Sequence, residues 1–257
     1  MATKTTAANE RIEIASISQE RAEVVVVGNS PLILNSIPNH ARHELLLPKG
    51  RKTAAQKATS LKHDPLQEFR NSASRAKDEG SPTEIVFPGV AFKKAMMGSA
   101  LDIPGAKKAQ IGRLVYIEQD WVSIYGTPEL YMTMVRSADM ARTPDVRTRA
   151  VIPMWCAVFD IAYVIPQLNR TVIGNLLGAA GITQGVGDFR VEKGSGNYGR
   201  FRVGEKGDKI VQMLMENGGT EAQRAAFEDP EFYDNDSREL YEWYGEELQR
   251  RGIREAA

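Results

Sequence analysis

Two apolar runs constrain this chain most. One is the β-branched run EVVVVG, which ends at Gly28; the other is AVIPMWCAVFDIAYVI, which ends at Ile165. Both are strand signals, and Pro166 breaks the second. The uninterrupted stretches EVVVVG and AVFDIAYVI are far short of the ~20 residues needed to span a bilayer. Around them the order of elements can be read. RIEIASISQERAEVVVVG holds two strand candidates, and FPGVAFKKAMMGSAL has helical spacing. In it Val90, Ala91, Lys94, Ala95, Met97 and Leu101 set an apolar stripe beside exposed lysines. IGRLVYIEQDWVSIYG alternates as one or two strands. QLNRTVIGNLLGAAG is a short amphipathic helix with Val172, Ile173, Leu176, Leu177 and Ala180 inward and Gly181 at the expected C′ position. YGRFRVG closes the series as a strand.

This order is β-α-β-β-α-β with insertions, so the expected class is α+β with a ferredoxin-like core. An antiparallel sheet with helices on one face would bury the helix stripes. The expected division is an N-terminal arm over 1–20, a core over 21–204 and an acidic helical tail over 205–257. Inside the core, a basic insertion is expected over about 30–86, with a brief helix near Asn39. A loop insertion is expected over about 127–149.

Charge is distributed unevenly. Residues 1–215 carry 28 Lys/Arg against 21 Asp/Glu, and residues 216–257 carry 5 against 12. A basic body with an acidic tail hints at nucleic acid, although a solvated helical tail would give the same count. Between Arg42 and Lys77 there are nine Lys/Arg and three Asp/Glu. Lys49, Arg51, Lys52, Lys57 and Lys62 belong to that segment. Lys93, Lys94, Lys107, Lys108 and Arg113 continue the trend, and Arg147 and Arg149 add a further basic stretch. Phosphate contacts need only such side chains on one face.

The segment GITQGVGDFRVEKGSGNYGRFRV, from Gly181 to Val203, contains six glycines and four Arg/Lys. It has neither G-x-G-x-x-G nor G-K-[ST], and it follows a helix and precedes a strand, the reverse of a phosphate-binding loop. Nucleotide-cofactor binding is therefore rejected. Flat approach to an extended polymer is the functional alternative, with Arg190, Lys193, Arg200 and Arg202 on phosphates and Phe189 and Tyr198 stacked on bases. The bland alternative is a loop whose glycines Gly185, Gly187, Gly194, Gly196 and Gly199 merely satisfy positive φ. Asp188 would then fix the loop through backbone N–H groups or pair with Arg190.

A helix, this glycine-rich segment and a strand in succession resemble the glycine-rich loop of the RAMP (repeat-associated mysterious protein) superfamily. That superfamily includes the backbone subunits of CRISPR effector complexes. The resemblance implies a modified ferredoxin-like fold, a thumb-like insertion after the first strand and polymerisation along an RNA strand. The insertion between Gly28 and Phe87 stands in the matching place. The chain also resembles uncharacterised phage and prophage proteins, through SPLIL, FPGVAFKKAM and GVGDFRVEKGSGNYGRF, which implies a bacterial host, and with a single cysteine a cytoplasmic location is expected. It departs from the nucleolytic RAMP members by lacking an obvious catalytic His or Asp in this motif.

Few residues invite catalysis. His40 and His43 would share a helix face, with only Glu44 beside them, so surface or capping roles are expected rather than a metal site. His63 is the third histidine. Cys156, the single cysteine, reads as a buried small hydrophobe. Met96, Met97, Met132, Met134 and Met140 read as core filling. No nucleophile–base arrangement can be defended, and no cofactor is expected.

The expected function is non-catalytic binding of single-stranded DNA or RNA, with homo-oligomerisation along the strand. Two alternatives stay open: a virion or assembly protein, and an inhibitor that imitates a RAMP subunit and enters a host CRISPR complex. The acidic tail either imitates nucleic acid in a basic groove or docks through Leu240, Trp243 and Tyr244. Five aromatics between Phe232 and Tyr244 favour docking.

Overall fold

The computed structural model describes residues 16–37, 46, 63–136, 144–194 and 196–252. Its centre is β1 (Ser18–Gly28), paired antiparallel with β9 (Cys156–Ile165) over ten residues, from Ser18↔Ile165 to Val27↔Cys156. On the other side of β1 lies β10 (Phe201–Gly204), with Val26 opposite Val203. Beyond β9 come β6 (Trp121–Tyr125), β4 (Ile85–Pro88) and β3 (Ser74–Arg75), while β5 (Val115–Ile117) pairs with the far end of β9. Every pairing in this seven-stranded sheet is antiparallel.

The valine run is buried on both faces, which explains why it shows no polar alternation. Val24 and Val26 face a large core shared with α2 (Gly89–Ser99) and α4 (Arg170–Thr183). Val25 and Val27 face α5 (Lys209–Asn217), which covers them with Val211 and Leu214. Aromatic rings knit the large core: Phe92 of α2 lies 4.6 Å from Phe159 and 5.9 Å from Phe201. The helices α2 and α4 touch directly, and Ser99 Oγ donates to the Leu176 carbonyl at 3.3 Å.

Two sequence expectations need correction here. Gly181 is not the C′ residue of α4. The helix runs on through Thr183, Gln184 caps it, and Gly185 at φ +69° makes the left-handed turn. Gly181 is glycine for another reason, since any Cβ there would overlap the Phe201 carbonyl of β10. On α2 the buried face holds Phe92, Ala95 and Met96, whereas Val90 and Leu101 point outward. Phe92 sets that rotation, because its ring belongs to the aromatic cluster.

The segment expected as a loop over 127–149 contains most of a hairpin, β7 (Glu129–Arg136) and β8 (Pro144–Ile152), in register from Glu129↔Val151 to Arg136↔Pro144. Leu130 and Met132 alternate inward, a short signal that the surrounding arginines and polar residues mask. Met134 departs from the core reading and is exposed. With β2 (Leu32–Ile33) this hairpin makes a second, three-stranded sheet. The apolar run to Ile165 is therefore two strands, β8 and β9. Between them stands Trp155, fully buried, whose indole donates to the Ser30 carbonyl at 2.9 Å.

Within the expected basic insertion, the described part includes α1 (Pro65–Ser72), capped by Asp64. His63, just before it, has Nδ1 2.7 Å from Glu68 Oε1 and Nε2 2.9 Å from Asp145 Oδ1. The helix expected near Asn39, together with His40 and His43, lies outside the described residues, as does Met140. Downstream of α5, the acidic tail continues as α6 (Thr220–Glu228) and α7 (Asn235–Arg251), broken at Gly218 and Gly219. It is docked on the body. Phe227 stacks 5.2 Å from Phe69, and Leu240 and Tyr241 pack against the large core. Trp243 departs from the docking expectation, because it is 59% exposed. No described helix is long and apolar enough to cross a membrane.

Candidate functional site

A groove of about 920 Å³ opens between α2, the chain after β2 and the loop after α4. Its α2 wall presents Val90, Ala91, Lys94 and Met97, with Leu101 just beyond the helix. Trp121 stands at one end, where β6 begins, and α3 (Lys108–Leu114) contributes Lys108. The opposite wall is the stretch Gln184–Asp188 with Arg190 and Glu192, together with Asn35, Ser36 and Ile37. Several apolar groups here are open to solvent. Leu101 is 71% exposed and Trp121 47%.

The glycine-rich loop is held tightly to the body. Asp188 N donates to the Ile33 carbonyl at 3.0 Å and Gly199 N to the Pro31 carbonyl at 2.8 Å, so the loop runs along β2. Its two limbs also bond to each other, Val186 N to the Gly199 carbonyl and Tyr198 N to the Phe189 carbonyl. Gly185, Gly187, Gly194 and Gly199 have left-handed φ, while Gly196 is needed because a Cβ would overlap the Phe189 backbone. Phe189 itself takes φ +49°, uncommon for a ring-bearing residue. These contacts account for the glycines by the conformation and crossing of the limbs.

Charge in the loop is partly neutralised by local pairs. Arg190 bonds Glu192 (Nε to Oε2, 2.8 Å) and donates from Nη1 to the Gly187 carbonyl at 3.0 Å. Asp188 pairs with Arg149, not Arg190, at 3.3 Å, and also accepts from Asn35 Nδ2 and from the Phe189 N–H. Arg149 is buried, its guanidinium 5.1 Å above the Phe189 ring, and its Nη1 has no hydrogen-bond partner among the described residues. Burial pulls the Arg149 pKa below the usual guanidinium value, and Asp188 opposes that pull. Tyr198 also lies within the structure. Burial raises its pKa, and hydrogen bonds with Tyr131 and Tyr233 raise it further.

The expected contact residues thus divide. Lys49, Arg51, Lys52, Lys57 and Lys62 lie outside the described residues. Lys94, Lys108 and Arg190 meet at the groove. Lys93 is turned aside, with its Nζ 4.8 Å over the exposed Tyr116 ring. Lys107, Lys193 and Arg200 are exposed outside the groove lining, and Arg147 leans toward Asp145 at 3.6 Å. Arg149 is buried against the Phe189 ring, and Phe189 and Tyr198 are half-buried; none of the three lines the groove. Sequence reasoning missed Trp121. Its signal was the alternation WVSIY, which turns Val122 and Ile124 inward and the indole outward. Comparison with family models and with curated proteins gives no match for this chain.

Proposed function

We propose that this chain is a non-catalytic protein that binds single-stranded nucleic acid in the groove beside the glycine-rich loop and self-associates along the strand. The observation that carries the reading is convergence. Lys94 and Lys108 come from separate segments, yet meet at one groove with an exposed indole, Trp121. Neither lysine has an ion-pair partner among the described residues. Cationic side chains beside an open ring are what sequence-tolerant single-strand binding requires.

The strand order supports the finer reading of the core. Read as β10, β1, β9, β6, these four strands follow the ferredoxin-like order, with α2 and α4 as the two crossover helices. The glycine-rich loop lies between the last of these helices and the last strand, where the RAMP resemblance expects it. For self-association, β10 ends the sheet with Val203 partly exposed, and a strand edge is a ready surface for pairing.

The test is a mobility shift with single-stranded DNA and RNA at low salt, repeated with Lys94→Ala/Lys108→Ala. Binding by the parent and its loss in the double variant are expected. Unchanged migration of both nucleic acids would refute the reading.

A further inference from the structure

Resting on that reading, we infer that the groove takes unpaired bases inward, with the sugar–phosphate chain outside touching Lys94 and Lys108. The walls decide the orientation. Val90, Ala91, Met97, Leu101 and Trp121 offer apolar surface. A phosphate pressed against it would lose its hydration without a partner, whereas a base face would not. The opposite wall offers little to a phosphate either, since Arg190 is tied to Glu192 and the Gly187 carbonyl. The two carboxylates of the groove, Asp188 and Glu192, are each paired with an arginine. Lys94 and Lys108 remain as the free cations among the described residues of the groove.

Most polar side chains are likewise engaged, Gln184 Nε2 reaching Thr183 Oγ1 at 3.4 Å. Asn35 donates to Asp188 at 3.0 Å, and Ser36 and Ser74 hydroxyls bond each other at 3.0 Å. With these groups already engaged, base edges find few partners, and the groove accepts any base that stacks. A volume of about 920 Å³ has room for more than one base and lies near the upper end of ordinary ligand pockets, ~300–1,000 Å³. A paired duplex cannot present base faces to such walls, so it is excluded as the preferred ligand.

Fluorescence anisotropy against three labelled probes of equal length tests this: oligothymidylate, an abasic deoxyribose–phosphate chain, and a duplex. Two phosphate contacts predict a log–log salt slope of about −1.4 for the oligothymidylate, from ~0.7 per contact. The abasic chain and the duplex are expected to bind at least about tenfold more weakly, and Trp121→Ala to cost about ten- to a hundredfold, as loss of one stacking ring does. Trp121→Phe should recover most of that loss, which a folding defect would not permit. Equal affinity for the abasic chain with a slope beyond about −3 would overturn base entry and leave nucleic-acid binding standing. Binding that ignores Trp121→Ala and Lys94→Ala/Lys108→Ala alike would place the site elsewhere and overturn the inference. No binding of any probe refutes the underlying reading as well. An acidic peptide that binds where nucleic acid does not would assign the groove to a protein partner.

Discussion

The Arg149 guanidinium lies 3.3 Å from the Asp188 carboxylate and ties β8 to the loop that follows α4. The two ends of this pair are unequal. The Arg149 side chain is 10% exposed and the Asp188 side chain 31%. Asp188→Asn therefore strands a buried charge and is expected to cost about 2–4 kcal/mol. Arg149→Met removes that charge and leaves a half-open carboxylate still bonded by Asn35 and the Phe189 N–H, so about 1 kcal/mol is expected. Urea unfolding of both variants ranks them. The reverse ranking would show that the pair does not hold the loop.

Two glycines of α4 should respond in opposite directions. A Cβ at Gly178 meets nothing within 4 Å, so Gly178→Ala is expected to stabilise by about 0.5–1 kcal/mol through helix propensity. At Gly181 the methyl would overlap the Phe201 carbonyl, and Gly181→Ala should cost about 2–3 kcal/mol as α4 is forced off β10. Thermal melts of the two variants check this. Equal shifts would mean that α4 can slide on the sheet.

Cys156 should be silent in the native protein. Burial, with help from Asp208, pushes its thiol up to about 12. A folded value above the unfolded one, ~8.5, means the protonated thiol contributes stability at neutral pH. That contribution is lost as pH rises from the unfolded value through the folded one. A thiol reagent at pH 8 should label nothing until denaturant is added, and then one equivalent. Fast native labelling would show that α5 lifts readily from the sheet.

The tail should act as a structural brace. Gln223 is fully buried, accepting from Ile85 N at 2.8 Å and donating to the carbonyls of Ile124, Gly126 and Gly218. Gln223→Leu takes this partner from Ile85 N and from the Ile124 and Gly126 carbonyls, while the Gly218 carbonyl keeps the Gly126 N–H, and is expected to cost about 3 kcal/mol. Removal of residues 216–257 should cost more, because Phe227 and Leu248 leave the interior with it. No described tail residue lines the groove, so affinity of the folded Gln223→Leu variant for single strands should match the parent. A rise in that affinity, strongest at low salt, would show instead that the tail competes for the groove.

By itself the sequence determined the elements whose burial is written locally. The valine run, the strand ending at Ile165 and the helices at FPGVAFKKAM and RTVIGNLL are all where their patterns put them. The alternation in β7 was too short to stand out, because polar residues on its open face outnumber the two inward positions, Leu130 and Met132. Partners were harder to read than elements. Arg190 and Asp188 stand two residues apart, yet Glu192 takes the first and Arg149 the second. The glycines announced an unusual loop, but only the crossing of its limbs says which atoms required them. Likewise, no periodicity places Trp121, Lys94 and Lys108 along one groove. A hydrophobic pattern records which face of an element leaves water, and that preference is local. Which faces then meet depends on strand order and on contacts between residues far apart in the chain, and these only the tertiary structure decided.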